Sequence, residues 1–225
     1  MKAVRILITA GPTRESIDDV RYISNHSTGK MGFAIAEAAL EAGAEVTLIC
    51  GPVNMKCPEN INRIDVVTAE EMYNETVKLF SKTDIAVLSA AVADYTPEIR
   101  YEGKLKKDNL GDSPNILLKK TKDILFELGK IKSSSQILVG FALESENLLE
   151  NASKKLIQKN CDMIVANDAN KPLSGFGGDY NTIAILTKDN NIEEFLPMTK
   201  AECAAVILSK ANKLMNSQLN KNLTT

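Results

Sequence analysis

The sequence predicts an α/β fold, a Rossmann-like, doubly wound and mainly parallel sheet. Three observations carry that expectation. Apolar runs of strand length alternate with helical patterns through most of the 225 residues. Residues 25–40 set a polar, glycine-punctuated loop, Asn25-His-Ser-Thr-Gly-Lys30, directly before an alanine-rich helix. A loop of that kind aims backbone N–H groups at phosphate. It lies between two apolar runs, 4–10 and 45–50, so strand, loop, helix and strand open the chain as they open a nucleotide-binding domain.

In chain order, strands are expected at 5–9, 45–49, 61–67, 85–90, 136–141, 163–166 and 182–186. Helices are expected at 29–42, 69–82, 122–132, 146–159 and 200–215. The alternation implies parallel neighbours joined by right-handed crossovers. Ser27 and Thr28 suit the start of the first helix. Gly29 and Gly32 leave no Cβ in the way of a close ligand. Residues 11–25 form a long charged loop (Arg14, Glu15, Asp18, Asp19, Arg21), functional unless it is a solvated excursion. After 84–91 the pattern breaks. Lys104-Leu-Lys-Lys107 and Asn115-Ile-Leu-Leu-Lys-Lys120 flank Gly111-Asp-Ser-Pro114. This reads as a hairpin insertion over about 100–120, leaving the carboxyl end of a central strand and placed to pair with its copy in another subunit. The strand at 182–186 follows the turn-rich Gly175-Phe-Gly-Gly-Asp-Tyr-Asn181 and is expected as an antiparallel edge. Residues 216–225 read as a polar, fraying tail, leaving 1–215 as a single nucleotide-binding domain.

Composition narrows the function classes. Hydrophobic residues make up 44% and charged residues 25%, ordinary for a soluble globular chain. The net charge of −2 argues against a nucleic-acid partner held by bulk charge, so any anion site is local. No apolar run approaches a membrane span, and the N-terminus enters a strand at once. The expectation is a cytoplasmic protein without a membrane partner. Cys50, Cys57, Cys161 and Cys203 lack C-x-x-C spacing, and His26 is the one histidine. Both facts argue against zinc and iron–sulfur centres, and no G-x-S-x-G stands near His26 for a hydrolase.

Two familiar phosphate loops fit poorly. A Walker A loop would need Gly where Ser24 stands and Ser or Thr where Met31 stands. A dinucleotide fingerprint would need G-x-G-x-x-G directly after the first strand and a ribose carboxylate, whereas the second strand ends Cys50-Gly51-Pro52. Three clusters remain as candidate parts of one site. The first is Gly11 with Ser27 to Gly32. The second is Ala90-Ala-Val-Ala-Asp94 with Lys104; Asp94 is either a ligand-binding group or a turn residue, and Lys104, Lys106 and Lys107 are either functional or a wet strand face. The third is Lys155 and Lys159, at i and i+4 on one helix face, suited to a triphosphate if they are not simply solvated.

Six motifs then occur together: Ile8-Thr-Ala-Gly-Pro-Thr-Arg-Glu15, Val20-Arg-Tyr-Ile-Ser-Asn-His-Ser-Thr-Gly-Lys-Met-Gly-Phe-Ala34, Ala90-Ala-Val-Ala-Asp-Tyr95, Lys104-Leu-Lys-Lys107, Gly140-Phe-Ala-Leu-Glu144 and Val165-Ala-Asn-Asp168. In these motifs, and over residues 1 to about 215, the chain resembles the phosphopantothenate–cysteine ligase (phosphopantothenoylcysteine synthetase) family of coenzyme A biosynthesis. Many bacterial relatives are fused behind a flavin-dependent decarboxylase, whereas this chain starts at the ligase strand, so it resembles the stand-alone form. The resemblance implies the reaction. CTP, with ATP as the alternative, activates 4′-phosphopantothenate as an acyl-cytidylate with loss of pyrophosphate, L-cysteine attacks, and CMP leaves. It also implies Mg²⁺ on the triphosphate, with ligands unassigned, and a homodimer.

Residue roles follow by position. Gly11, Ser27, Gly29 and Gly32 match phosphate-binding positions. Asn25 matches the asparagine on the acyl intermediate. Ala90, Ala91 and Asp94 match the turn holding pantothenate and nucleotide. Arg21 matches an arginine reaching the substrate phosphate across the dimer. Lys104 matches the activation lysine, and Phe141, Lys155 and Lys159 match nucleotide contacts. Asp123 lies in Lys122-Asp-Ile-Leu125, which departs from the family's Pro-Asp-Ile at its first residue. Two rivals stay open, an NAD(P)-binding oxidoreductase and a non-catalytic nucleotide-binding domain.

Overall fold

The computed structural model describes residues 3–106, 115–144, 146–168 and 177–223. The chain begins with β1 (Arg5–Ala10), a short hairpin of β2 (Arg14–Ser16) and β3 (Tyr22–Ser24), α1 (Lys30–Glu41), β4 (Glu45–Cys50) and β5 (Asn62–Asp65). It continues through α2 (Ala69–Phe80), β6 (Ile85–Leu88), β7 (Tyr95–Pro97), β8 (Leu118–Lys120), α3 (Ile124–Ile131), β9 (Ile137–Glu144) and α4 (Leu148–Gln158). It closes with β10 (Met163–Asp168), β11 (Tyr180–Asn181), β12 (Ile183–Thr187), β13 (Ile192–Glu194), β14 (Met198–Thr199) and α5 (Lys200–Leu223).

Eight strands form the central sheet in the order β13-β12-β10-β9-β6-β1-β4-β5. From β5 to β10 every pair is parallel, and β12 and β13 are antiparallel additions. The chain winds outward from β1 to β5, returns to β6 and winds the other way to β10. β1 and β6 are therefore neighbours whose connections depart in opposite directions, the switch point at which open α/β sheets bind ligands.

Strand alternation explains the layers. Ile6 and Ile8 face Phe33, Ile35 and Ala36 of α1 and Cys203 and Ile207 of α5. Leu7, between them, faces Met72 and Phe80 of α2, Leu128 of α3 and Leu156 of α4. Each fully buried Leu or Ile contributes about 1.5–3 kcal/mol. Local signals start the helices. Thr68 and Glu71 close a capping box on α2, Asp123 accepts from Phe126 N–H on α3, and Thr199 accepts from Glu202 N–H on α5.

Four sequence expectations need correcting. The charged loop after β1 contains the β2–β3 hairpin, with Glu15 buried and accepting from Ala69 N–H at 2.8 Å. The strand at 182–186 is antiparallel but not an edge: Asn190, at φ 60°, turns the chain back so that β13 covers β12. Among the described residues the expected hairpin arms do not pair with each other; β8 pairs with β7, matching Tyr95 to Lys120. Lys107, Gly111 to Pro114, Gly175 and Phe176 lie outside the described residues. The residues read as a tail continue α5 to Leu223, where Gln218 donates to Asp162, a buried carboxylate already paired with Lys132 at 2.5 Å.

Candidate functional site

Beyond the ends of β1 and β6 the two segments remain zipped. Ala91 N–H donates to Gly11 O (2.9 Å), and Thr13 N–H donates to Ala91 O (3.3 Å). Gly11 holds φ +77°, a left-handed conformation natural to glycine. The following residue crosses the tip of β4, and a Cβ on Gly51 would sit 1.8 Å from Pro12 O. Where a dinucleotide fold presents a ribose carboxylate, this chain lays its own backbone.

Two cavities open at this switch point and share Ala90, Ala91 and Phe141. The smaller, about 180 Å³, is lined by Ser27 to Gly32 at the start of α1, with Asn167, Asn181 and Lys200 opposite. No side chain caps α1, so its first N–H groups are available to an anion. A Cβ on Gly32 would lie 2.5 Å from Ala10 Cβ and 2.8 Å from Ser89 Oγ, so glycine is what lets the helix start approach β1 and β6. Lys30 reaches Gly177 O (3.1 Å) and Asp179 (2.6 Å), while Lys200 donates to Gly178 O; the two lysines together anchor residues 177–179. Burial lowers the Lys200 pKa from its ordinary value.

The larger cavity, about 550 Å³, is lined by Asp94, Tyr95, Lys120, Lys122, Asp123 and Lys155, among others. Thr121 ties this wall to the small-residue turn, its N–H donating to Asp94 O (2.9 Å) and its hydroxyl to Ala93 O (2.6 Å). Lys155 donates to Phe141 O at 2.7 Å. Lys159 reaches the site through Asp123, at 2.5 Å. Burial alone would push the Asp123 carboxyl up; bonds from Lys159 and Phe126 N–H, with the charges of Lys159 and Lys155, hold it below its ordinary value. Asn25 sits at the rim, and its amide N–H₂ donates to Ala91 O (3.0 Å) and Val92 O (3.1 Å). It thereby fixes the turn where the cavities meet.

Arg21 and Lys104 line neither cavity. Arg21 grips Asp18 (2.6 Å) and donates to Leu105 O (3.2 Å). Asp18 is buried, and Arg21, with backbone N–H groups of Val20, Arg21 and Leu105, holds its carboxyl far below the usual range. Asp19 accepts from Gly103 N–H at 2.9 Å. The exposed Lys104 therefore stands between two residues tethered to the β2–β3 turn, so the structure groups it with Arg21 and not with Asp94. Gly11 acts on the zipper between β1 and β6 and does not line the cavities. Sequence reasoning assigned no role to Lys120 and Thr121, in a lysine run, to Lys122, noted there only as a departure from the family's pattern, or to Asn167, Asn181 and Lys200. Of the last three, only Asn167 lay in a singled-out motif.

Fold and site together define a Rossmann-like α/β domain with a crevice at the switch point of its sheet. The sequence profile of the DNA/pantothenate metabolism flavoprotein C-terminal domain matches residues 1–215. The chain belongs to that family. It is 44% identical over 211 residues to the coenzyme A biosynthesis bifunctional protein CoaBC of Bacillus subtilis strain 168, covering 93% of this chain and 51% of that protein. It is 49% identical over 214 residues to a cysteine/cysteine sulfinic acid decarboxylase of an unknown prokaryotic organism, covering 94% and 59%. The chain thus spans about half the length of the curated relatives it matches. Among solved structures, the C-terminal domain of a CoaBC protein superposes with a TM-score of 0.82 at 39% identity, covering 96% of this chain and 98% of that one. A DNA/pantothenate metabolism flavoprotein from Streptococcus pneumoniae gives 0.77 at 30% identity, covering 95% and 99%.

Proposed function

We propose that this chain is a phosphopantothenate–cysteine ligase of coenzyme A biosynthesis. The observation that carries the reading is the meeting of two cavities at Ala90 and Ala91, one with a bare helix start and one with lysines and Asp123. The CoaBC names of full-length relatives and of a solved C-terminal domain support it. In this reading the substrate carboxylate attacks the α-phosphorus of CTP, pyrophosphate leaves, and the acyl-cytidylate lies across the Ala90–Ala91 turn. The amine of L-cysteine then forms the C–N bond, and CMP leaves with the C–O electron pair. The site's task is positioning and charge stabilisation.

Mg²⁺ fits as a companion of the triphosphate. The described residues contain no cluster of three or more His, Cys, Asp or Glu side chains that could cage a metal, and Mg²⁺ binds through one or two carboxylates plus phosphates. Asp94, on the cavity wall, is the carboxylate suited to hold it. When bound, the ion neutralises charge on the polyphosphate. A homodimer is part of the reading. Val20 (59% exposed), Ile99 (61%) and Leu117 (71%) stand on segments joined by Tyr101 N–H to Ile17 O and Glu98 N–H to Leu117 O, an apolar face beside Arg21. The enzyme would work in the cytoplasm; no helix among the described residues is long and apolar enough to cross a membrane.

Pyrophosphate release with CTP, ATP, GTP and UTP in parallel tests the reading. Release must depend on phosphopantothenate, and ligation on cysteine. Thermal stabilisation by NAD(H) and not by CTP or ATP would support the oxidoreductase instead. Mixing Arg21→Ala with Lys104→Gln subunits tests the dimer. If Arg21 serves the neighbouring site and Lys104 its own, exchanged heterodimers regain about half the wild-type activity, since one site carries both defects and the other none; if both serve the same site, nothing is regained.

A further inference from the structure

The proposed reaction leaves its second substrate without a place, and the smaller chamber holds a polar group without a partner. Asn181, 3% exposed, lines that chamber. Its Nδ2 donates to Met31 Sδ at 3.6 Å, and its Oδ1 is buried with no hydrogen-bond partner among the described residues. Turning the amide over would only exchange one orphaned atom for the other. Phosphate oxygens suit the uncapped start of α1 and Lys200 but offer the Asn181 carbonyl oxygen no proton, so an anion alone leaves that oxygen unsatisfied. Such a chamber calls for a ligand with an anionic end and an N–H or O–H end. An α-amino acid has both. Met31, Ala142 and Leu143 add an apolar wall of the size a thiol needs.

We propose that this chamber is the amino-acid subsite. After pyrophosphate has left, the α-carboxylate of cysteine takes the anion cradle at the start of α1 beside Lys200, and its α-ammonium donates to Oδ1 of Asn181. The shared walls Ala90, Ala91 and Phe141 place the nitrogen next to the acyl carbon in the larger cavity. The ammonium loses a proton to solvent, nitrogen attacks the acyl carbon, CMP leaves with the C–O bonding pair, and nitrogen releases its remaining extra proton to water. One cradle thus serves two anions in turn, and the order of events follows: pyrophosphate must go before cysteine can enter.

The inference rests on the ligase reading, and the experiment separates the two. Asn181→Ala and Asn181→Leu are compared with wild type in three measurements: single-turnover pyrophosphate release, KM for cysteine, and trapping of the acyl-nucleotide by hydroxylamine, which lacks a carboxylate. The expected result is release and trapping within about twofold of wild type, with KM for cysteine raised about tenfold to a hundredfold, the range of a hydrogen bond to a charged group. An unchanged KM for cysteine overturns the subsite, and so does a loss of pyrophosphate release as large as the loss of ligation. If thermal denaturation shows both variants unfolded, wild type decides with cysteamine, which lacks the carboxylate. Its kcat/KM must fall at least about tenfold below that of cysteine, and equal use overturns the proposal. Wild type that releases no pyrophosphate with phosphopantothenate fails the ligase reading itself.

Discussion

The two cavities at the switch point are built from different materials. The helix-start wall of the smaller is made of main chain, with Gly29 at φ +80° and Gly32 pressed between Ala10 and Ser89. The larger is made of side chains: Lys155 on Phe141 O, Lys159 on Asp123, and Thr121 on Ala93 O. A main-chain wall is fixed by packing and fails as a unit. A side-chain wall degrades one contact at a time.

The largest effect is expected at Gly32, where the contrast breaks most directly. Gly32→Val must push α1 away from β1 and β6. Overpacking of this kind costs about 1–3 kcal/mol, a fall of about 2–12 °C in Tm for a chain of this size. Stabilisation by CTP should vanish with it; a variant of wild-type Tm that still responds to CTP would refute the main-chain account. Next in size is Lys104→Gln. Loss of one electrostatic donor to a transition state costs about 10²–10³ in rate, and at an exposed position it should leave Tm unchanged. Near-normal pyrophosphate release would remove Lys104 from the chemistry. A full loss would mean that the tethered segment around Gly103 and Leu105 meets the substrate although Lys104 lines neither cavity.

Asn25→Asp probes the seam between the walls. It replaces an N–H₂ that serves two carbonyls with a carboxylate facing them. The second half-reaction should slow more than the first, by about tenfold, so that acyl-nucleotide accumulates in quenched turnover; equal slowing of both halves argues against the role. The smallest effect belongs to Lys159→Met. The Asp123 carboxyl is lowered in the folded state, so its contribution is present above the ordinary carboxylate value, about 4, and is lost as pH falls through the lowered value. Half exposed, the pair is worth about 0.5–1 kcal/mol at most. Denaturation at pH 7 should show that difference, and at pH 3 it should shrink. A difference independent of pH would assign the loss to packing on Phe126 instead.

The sequence revealed what is local. Strand alternation, the α1 loop and the Ala90–Ala91 turn were legible because their signals lie within a dozen residues. Contacts across eighty residues were not. Asp18 reads as one more charge in a loop, and nothing nearby in sequence says that it holds Leu105 N–H. The pairing of β8 with β7 was missed because alternating patterns on either side of a turn match a hairpin equally well. The polar end of α5 looked like a tail because its anchor, Asp162, lies in another part of the chain. Asn181 and Lys200 carried no motif; only packing against Met31 and Gly178 brings them to the chamber.

The contact between Pro12 and Gly51 limits what side-chain substitution can do at the end of β4. A sheet with this strand order is one carboxylate short of the ribose clamp used by dinucleotide enzymes. At Gly51, just past β4, a carboxylate has no room, because a Cβ there would meet Pro12 O at 1.8 Å. Conversion would need the segment after β1 to be rerouted first, and that segment carries Asn25 and Arg21. With this backbone laid across the end of β4, side-chain substitution at Gly51 does not open a ribose clamp there.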